Sequence, residues 1–171
     1  EDVAVFAANG VHHTAASYQG GGTVALQSGG KDSLLLAALL REKRRDFTPL
    51  YITSAQAHPR VLDTLSKPLR TIHRHIDRDG LMQAKADGGM NGHVPVTYIV
   101  EAYALIDAIL HGQNMVLAAI GQEGEEPHEY IGQMPVNHQW SKTWQAEQLL
   151  SEYLQAYVSA DMQIGSPLRG F

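Results

Sequence analysis

Apolar and polar positions along the chain follow two periods. Thr23 to Gln27 (TVALQ) is an apolar run of strand length. Ser33 to Arg41 follows with leucine or alanine at nearly every step, which predicts a helix buried on most sides. Arg41 to Asp46 (REKRRD) is its solvated end, with cations suited to a helix C-terminus. Phe47 to Ser54 predicts a second strand, and Arg60 to Leu69 a short amphipathic helix with Val61, Leu62, Leu65 and Leu69 on one face. Thr71 to Ile76 alternates as a third strand, while Asp77 to Val94 is glycine-rich and irregular. Pro95 to His111 predicts a second buried helix. Pro95 suits its first turn, Ile99, Tyr103, Ile106 and Leu110 form a stripe, and Gly112 can end it. Asn114 to Ile120 is a fourth strand, and residues 121–139 form a long loop of the kind that is usually functional or mobile. Ser141 can cap a last helix whose stripe is Ala146, Leu149, Leu150, Tyr153, Leu154, Tyr157 and Val158. Residues 1–22 carry no period. Strands alternating with helices predict one α/β domain over residues 1–171, with a mainly parallel sheet covered on both faces.

Composition narrows the function. A chain of 171 residues, 44% hydrophobic and 18% charged, is long and apolar enough to bury a core. Its net charge of -5 argues against a nucleic-acid substrate, which usually meets a basic face. No apolar run has membrane-spanning length and no leader peptide is visible, so a cytoplasmic setting is expected. The chain has no cysteine, which fits that setting. The absence also removes persulfide relays, thiolate zinc sites, iron–sulfur clusters and cysteine nucleophiles.

The chemistry concentrates in Ser28–Ser33 (SGGKDS), between the first strand and the first helix. Parallel sheets bind ligands at the carboxyl ends of their strands. Gly29 and Gly30 let backbone N–H groups approach an anion, and the helix N-terminus adds partial positive charge. Lys31 supplies a full charge, and Ser28 and Ser33 supply hydroxyl donors. Asp32 would repel a bare phosphate, so it makes most sense beside Mg²⁺. The stretch is not a Walker A loop, because Asp32 follows the lysine and Ala25 stands where the first glycine belongs. The plain alternative is a tight turn that only joins strand to helix.

This loop resembles the pyrophosphate loop of the N-type ATP pyrophosphatases. The resemblance implies a shared fold and a shared chemistry: ATP and Mg²⁺ are used, ATP is split between its α- and β-phosphates, a substrate oxygen is adenylated and pyrophosphate leaves. Members that work through cysteine are excluded. Three further stretches sharpen the likeness: GGMNGHVPVTYI (88–99), AAIGQEGEE (118–126) and PVNHQWSKTWQAEQLLSEYL (135–154). Together with SGGKDS they resemble the UDP-N-acetylmuramoyl-L-alanyl-L-glutamate epimerases, over about Val24 to Gly170. That family implies activation of the terminal L-glutamate of a UDP-muramoyl dipeptide, inversion of its α-carbon, and release of AMP and pyrophosphate. Its chains are considerably longer, so these residues are expected to be a portion of one. Oligomeric state stays open. So do two other functions: an amide-forming ligase that also adenylates a carboxylate, and a nucleotide-binding domain without turnover.

Epimerisation needs a base, and an acid on the opposite face. His93, in NGHV, and His138 with Lys142, in NHQWSK, lie in polar stretches that lead into helices. Each is a candidate for proton transfer, or alternatively braces its loop. Asn91, Asn137 and Gln139 are candidates to hold the substrate's amide and carboxylates, against ordinary loop hydrogen bonding. Gly121 and Glu123 follow the fourth strand, where they can face ribose, phosphate or Mg²⁺. Tyr51 to Thr53 can meet adenine through backbone groups. His73 and His75 share a strand face but lack an evident third metal ligand. Glu101, in an otherwise apolar helix, is open between a buried partner and an edge residue. Trp140 and Trp144 are expected to pack at the start of the last helix.

Overall fold

A computed structural model describes residues 15–89, 94–122 and 124–170. Five parallel strands form the main sheet in the order β3-β2-β1-β4-β7. They are β1 (Thr23–Gln27), β2 (Thr48–Thr53), β3 (Arg70–His73), β4 (Met115–Leu117) and β7 (Gln163–Gly165). Strand β1 is central: Val24 pairs with Thr48 on one side and Val116 on the other. Val24 and Ala25 are accordingly both fully buried. This is the α/β architecture that the alternation predicts.

The two sheet faces have different covers. Ala25 packs with Leu36 and Ala37 of α1 (Lys31–Glu42), and with Phe47, Leu62 and Leu65. Val24, Leu50 and Val116 pack with Ala104, Leu105 and Ala108 of α3 (Val96–Leu110) and with Leu154, just after α4 (Trp144–Tyr153). The chain moves outward from β1 to β3, then returns through α3 to β4 on the other side of β1. That reversal opens a crevice at the carboxyl ends of β1 and β4, the usual ligand position in such sheets.

Several local expectations differ from the fold. Residues 77–94 are not wholly irregular: Asp77 caps α2 (Arg78–Ala86), its carboxylate accepting from the Gly80 N–H. The helix expected over Arg60–Leu69 is a short 3-10 turn, Arg60–Leu65, with Leu62 and Leu65 buried. The Tyr103, Ile106 and Leu110 stripe of α3 faces outward, at 38%, 56% and 77% exposure. Small residues decide that orientation, since Ala104 and Ala108 let the helix backbone approach the sheet closely. The last helix is likewise only partly seated by its stripe. Ala146 and Leu154 are buried, but Leu149, Tyr153 and Tyr157 are exposed. Thr143, not Ser141, caps α4, accepting from the Ala146 N–H. The long loop contains a hairpin, β5 (Glu129–Ile131) and β6 (Met134–Val136). Strand β7 and the turn at Pro167–Gly170 carry too few apolar residues to give a period. Among the described residues, no helix is long and apolar enough to cross a membrane.

Candidate functional site

The SGGKDS loop leaves β1 and enters α1 directly. Gly29 has φ +79, a left-handed conformation that favours glycine. A Cβ there would also lie 3.0 Å from the ring of Pro59, so the turn needs glycine for both backbone and space. Gly30 is the N-cap of α1 and no side chain caps the helix. Internal bonds set the loop: the Gly30 N–H donates to Ser28 Oγ (3.2 Å), Ser28 Oγ donates to Ser33 Oγ (3.3 Å), and Ser33 Oγ donates to the Gly30 carbonyl (2.9 Å). Lys31 is exposed and Asp32 half-buried. A rigid glycine turn therefore opens onto an uncapped helix N-terminus with a cation beside it. Such an arrangement suits phosphate oxygens.

Ser28 and Ser33 form one wall of a cleft of about 280 Å³. Tyr51 and Ile52 of β2, residues 118–120 after β4, and the first turns of α3 complete it. Two buried polar residues also line it. Gln27 is 4% exposed, and both polar atoms of its side-chain amide are buried without a hydrogen-bond partner among the described residues. Glu101 is 3% exposed. Burial, reinforced by the Glu147 carboxylate, pushes its pKa up to about 8, while Arg169 pulls the other way. Buried polar groups nearly always find partners, so the unpartnered Gln27 amide beside the cleft suggests a group that a ligand satisfies.

A second polar cluster begins one residue beyond the cleft. Arg169 Nη1 donates to the Gly121 carbonyl (3.2 Å) and to Glu125 (2.7 Å). Its Nη2 donates to the Lys142 carbonyl (2.7 Å), and its Nε to Glu147 (3.3 Å). Glu147 also accepts from the Ser166 N–H. One guanidinium thus ties the loop after β4 to the start of α4. Gly124 packs against Lys142 so closely that a Cβ would fall 2.7 Å from the lysine Cβ. Asn137 Nδ2 donates to the Gly124 carbonyl (2.7 Å), and its Oδ1 accepts from the Gln139 N–H (2.8 Å). Lys142 Nζ donates to Gln139 Oε1 (3.3 Å).

Residues 2–166 match the MurL N-terminal domain. The chain belongs to that family. It is 33% identical over 141 residues to a UDP-N-acetyl-alpha-D-muramoyl-L-alanyl-L-glutamate epimerase of Xanthomonas oryzae pv. oryzae, covering 82% of this chain and 31% of that one. It is 31% identical over 130 residues to the protein of the same name in Salinispora tropica, covering 76% and 28%. The matches therefore span about a third of each relative's length. Among solved structures, a predicted subunit of tRNA methyltransferase from Methanocaldococcus jannaschii superposes with a TM-score of 0.50 at 17% identity, covering 88% of this chain and 69% of that one. This last likeness concerns the fold alone.

Within the family's fold, the candidates fall into two groups. Ser28, Gly29, Gly30, Lys31, Asp32 and Ser33 form the loop at the cleft. Gly121, Asn137, Gln139 and Lys142 gather in the Arg169 cluster. The His138 ring packs against His128 at a tilt of 48°, with ring centroids 3.7 Å apart. Asn91, His93 and Glu123 lie outside the described residues. The described residues contain no group of three or more His, Cys, Asp or Glu side chains that could hold a metal ion. His73 and His75 are both exposed. Trp140 and Trp144, at 41% and 52% exposure, are less packed than expected, although Trp140 meets Tyr98 edge-on. Arg169, Glu147 and Gln27 were not signalled by the sequence. Each is an isolated polar residue among ordinary neighbours, and only the fold gives it a partner or a cleft.

Proposed function

We propose that this chain carries the nucleotide-using part of an enzyme that epimerises the terminal L-glutamate of UDP-N-acetylmuramoyl-L-alanyl-L-glutamate to D-glutamate, in peptidoglycan precursor synthesis. The observation that supports this most is the SGGKDS turn, opening at the carboxyl end of β1 onto a cleft with an uncapped helix. The names of the relatives supply the substrate.

The chemistry explains why an ATP-splitting domain suits an epimerase. A proton beside a carboxylate is hard to remove, because a second negative charge develops on the same oxygens. Joining that carboxylate to AMP as an acyl-adenylate removes the obstacle, and donors can then stabilise the enolate. ATP is the co-substrate in this reading. Ser28, Gly29, Gly30, Lys31 and Ser33 hold its β- and γ-phosphates, and Tyr51 and Ile52 face the adenosine end. Asp32 is a single carboxylate, so it fits Mg²⁺ only where phosphates and water supply the other ligands; Glu123 is the candidate second carboxylate. Asn137, Gln139 and Asn91 are proposed to hold the dipeptide, with Gly121 nearby. His138, His93 and Lys142 are the candidates for the base. The reading places the reaction in the cytoplasm, where ATP is available.

Incubating the full-length protein with ATP, Mg²⁺ and the UDP-muramoyl dipeptide tests it. AMP, pyrophosphate and a D-glutamyl product are expected together. ADP and phosphate would overturn the loop's role. AMP with nitrogen incorporated would instead indicate an amide-forming ligase.

A further inference from the structure

We propose that Glu101 is the acid that returns a proton to the α-carbon of the activated glutamyl group. The proposal rests on the epimerase reading above. A glutamyl group joined to AMP beside the SGGKDS loop must lie in the cleft that Ser28 and Ser33 line, and Glu101 lines the same cleft. Among the described lining residues there is no other carboxyl, imidazole or amine.

An acid in this role must carry its proton at neutral pH and sit in water-poor surroundings beside the substrate. Glu101 meets each condition. It is 3% exposed and lines the cleft. With its pKa near 8, about ten carboxyls are neutral for each one charged at pH 7. Among the described residues, Glu147 of α4 and Arg169 of the C-terminal turn act on it in opposite directions, and Tyr98 of its own helix also interacts with it. Glu147 is held in turn by Arg169 and the Ser166 N–H, so the charge that adds to burial in keeping Glu101 protonated is itself fixed in place.

The step balances as follows. A base on the L face takes the α-proton, and the C–H electron pair enters the enolate of the activated acyl group. The O–H bond of Glu101 then breaks, its proton forms the new C–H bond on the opposite face, and Glu101 is left as carboxylate. Water reprotonates it after product release, while the base gives its proton to solvent.

Glu101→Gln in the full-length protein separates this role from binding and activation. ATP–pyrophosphate exchange in the presence of the dipeptide should stay within about twofold of the parent. In D₂O, deuterium should still enter recovered L-glutamyl substrate, because the base remains. Formation of D-glutamyl product should fall by about 100-fold or more, a typical general-acid contribution. Glu101→Asp should restore part of it. In the parent, inversion should decline as pH rises through about 8, as the acid form is lost. Inversion by the Gln variant within threefold of the parent overturns the proposal. So does parallel loss of exchange and inversion, which would place Glu101 in binding, and so does a variant that fails to fold, since amide should replace neutral carboxyl without harm. A parent enzyme that catalyses no pyrophosphate exchange would instead overturn the epimerase reading itself.

Discussion

Glu101 has a consequence for stability that does not depend on catalysis. Its carboxyl rises from an ordinary 4.5 to about 8 in the folded protein, chiefly through burial. Between those values the folded state binds one proton that the unfolded chain has released. Stability from this group is therefore complete below about pH 4.5 and is lost progressively until pH passes about 8. The slope is at most about 1.4 kcal/mol per pH unit, and the whole loss is at most about 5 kcal/mol. Water entering the cleft would reduce both figures. Glu101→Gln removes the titration and keeps the shape. Urea unfolding of parent and variant at pH 5 to 9 isolates the effect, because the other titrating groups cancel in the difference. The two proteins should be nearly equal at pH 5, and the variant should become more stable by several kcal/mol at pH 8.5. A difference that stays flat within about 0.5 kcal/mol, or one that favours the parent at high pH, would refute the burial argument.

Three further outcomes follow from the same geometry. Arg169→Met should cost about 3–5 kcal/mol, because it leaves the buried Glu147 carboxylate without its cation and the Gly121 and Lys142 carbonyls without the Arg169 donor; chemical unfolding measures this, and adding Glu147→Gln should recover part of the loss. Gly29→Ala should cost about 1–2 kcal/mol from its left-handed backbone, with the Pro59 contact adding to that. Its pyrophosphate exchange should drop at least tenfold, and an unchanged rate would separate the loop from phosphate binding. Asp32→Ala should weaken Mg²⁺-dependent turnover far more than it lowers the melting temperature, since a half-buried loop carboxylate contributes little to the core. Unchanged activity at low Mg²⁺ would remove Asp32 from the metal role.

The parts of this fold legible in the sequence are those whose physics is local. Val24 and Ala25 sit in an apolar run because both sheet faces are covered, and SGGKDS follows because a tight turn there needs glycine. The helix α3 was legible as an element but not in its orientation. Being apolar all round, it has no single stripe, and the close approach of Ala104 and Ala108 to the sheet turns Tyr103 and Leu110 outward. Strand β7 escaped notice because three residues, only partly buried, carry no period. The Arg169 cluster was invisible for a different reason: its members come from residues 121–125, 142–147 and 166–169 and meet only through the fold. Glu101 stood out as a charge in an apolar helix, but whether it was buried could not be read from spacing.

Oxygen transfer tests the central claim most directly. The dipeptide is prepared with ¹⁸O in the α-carboxylate of its terminal glutamate and turned over with ATP by the full-length protein. If that carboxylate is adenylated before inversion and water then opens the anhydride at its acyl carbon, AMP should carry one ¹⁸O for each D-glutamyl product formed. D-glutamyl product accompanied by unlabelled AMP, or by ADP, would contradict the account.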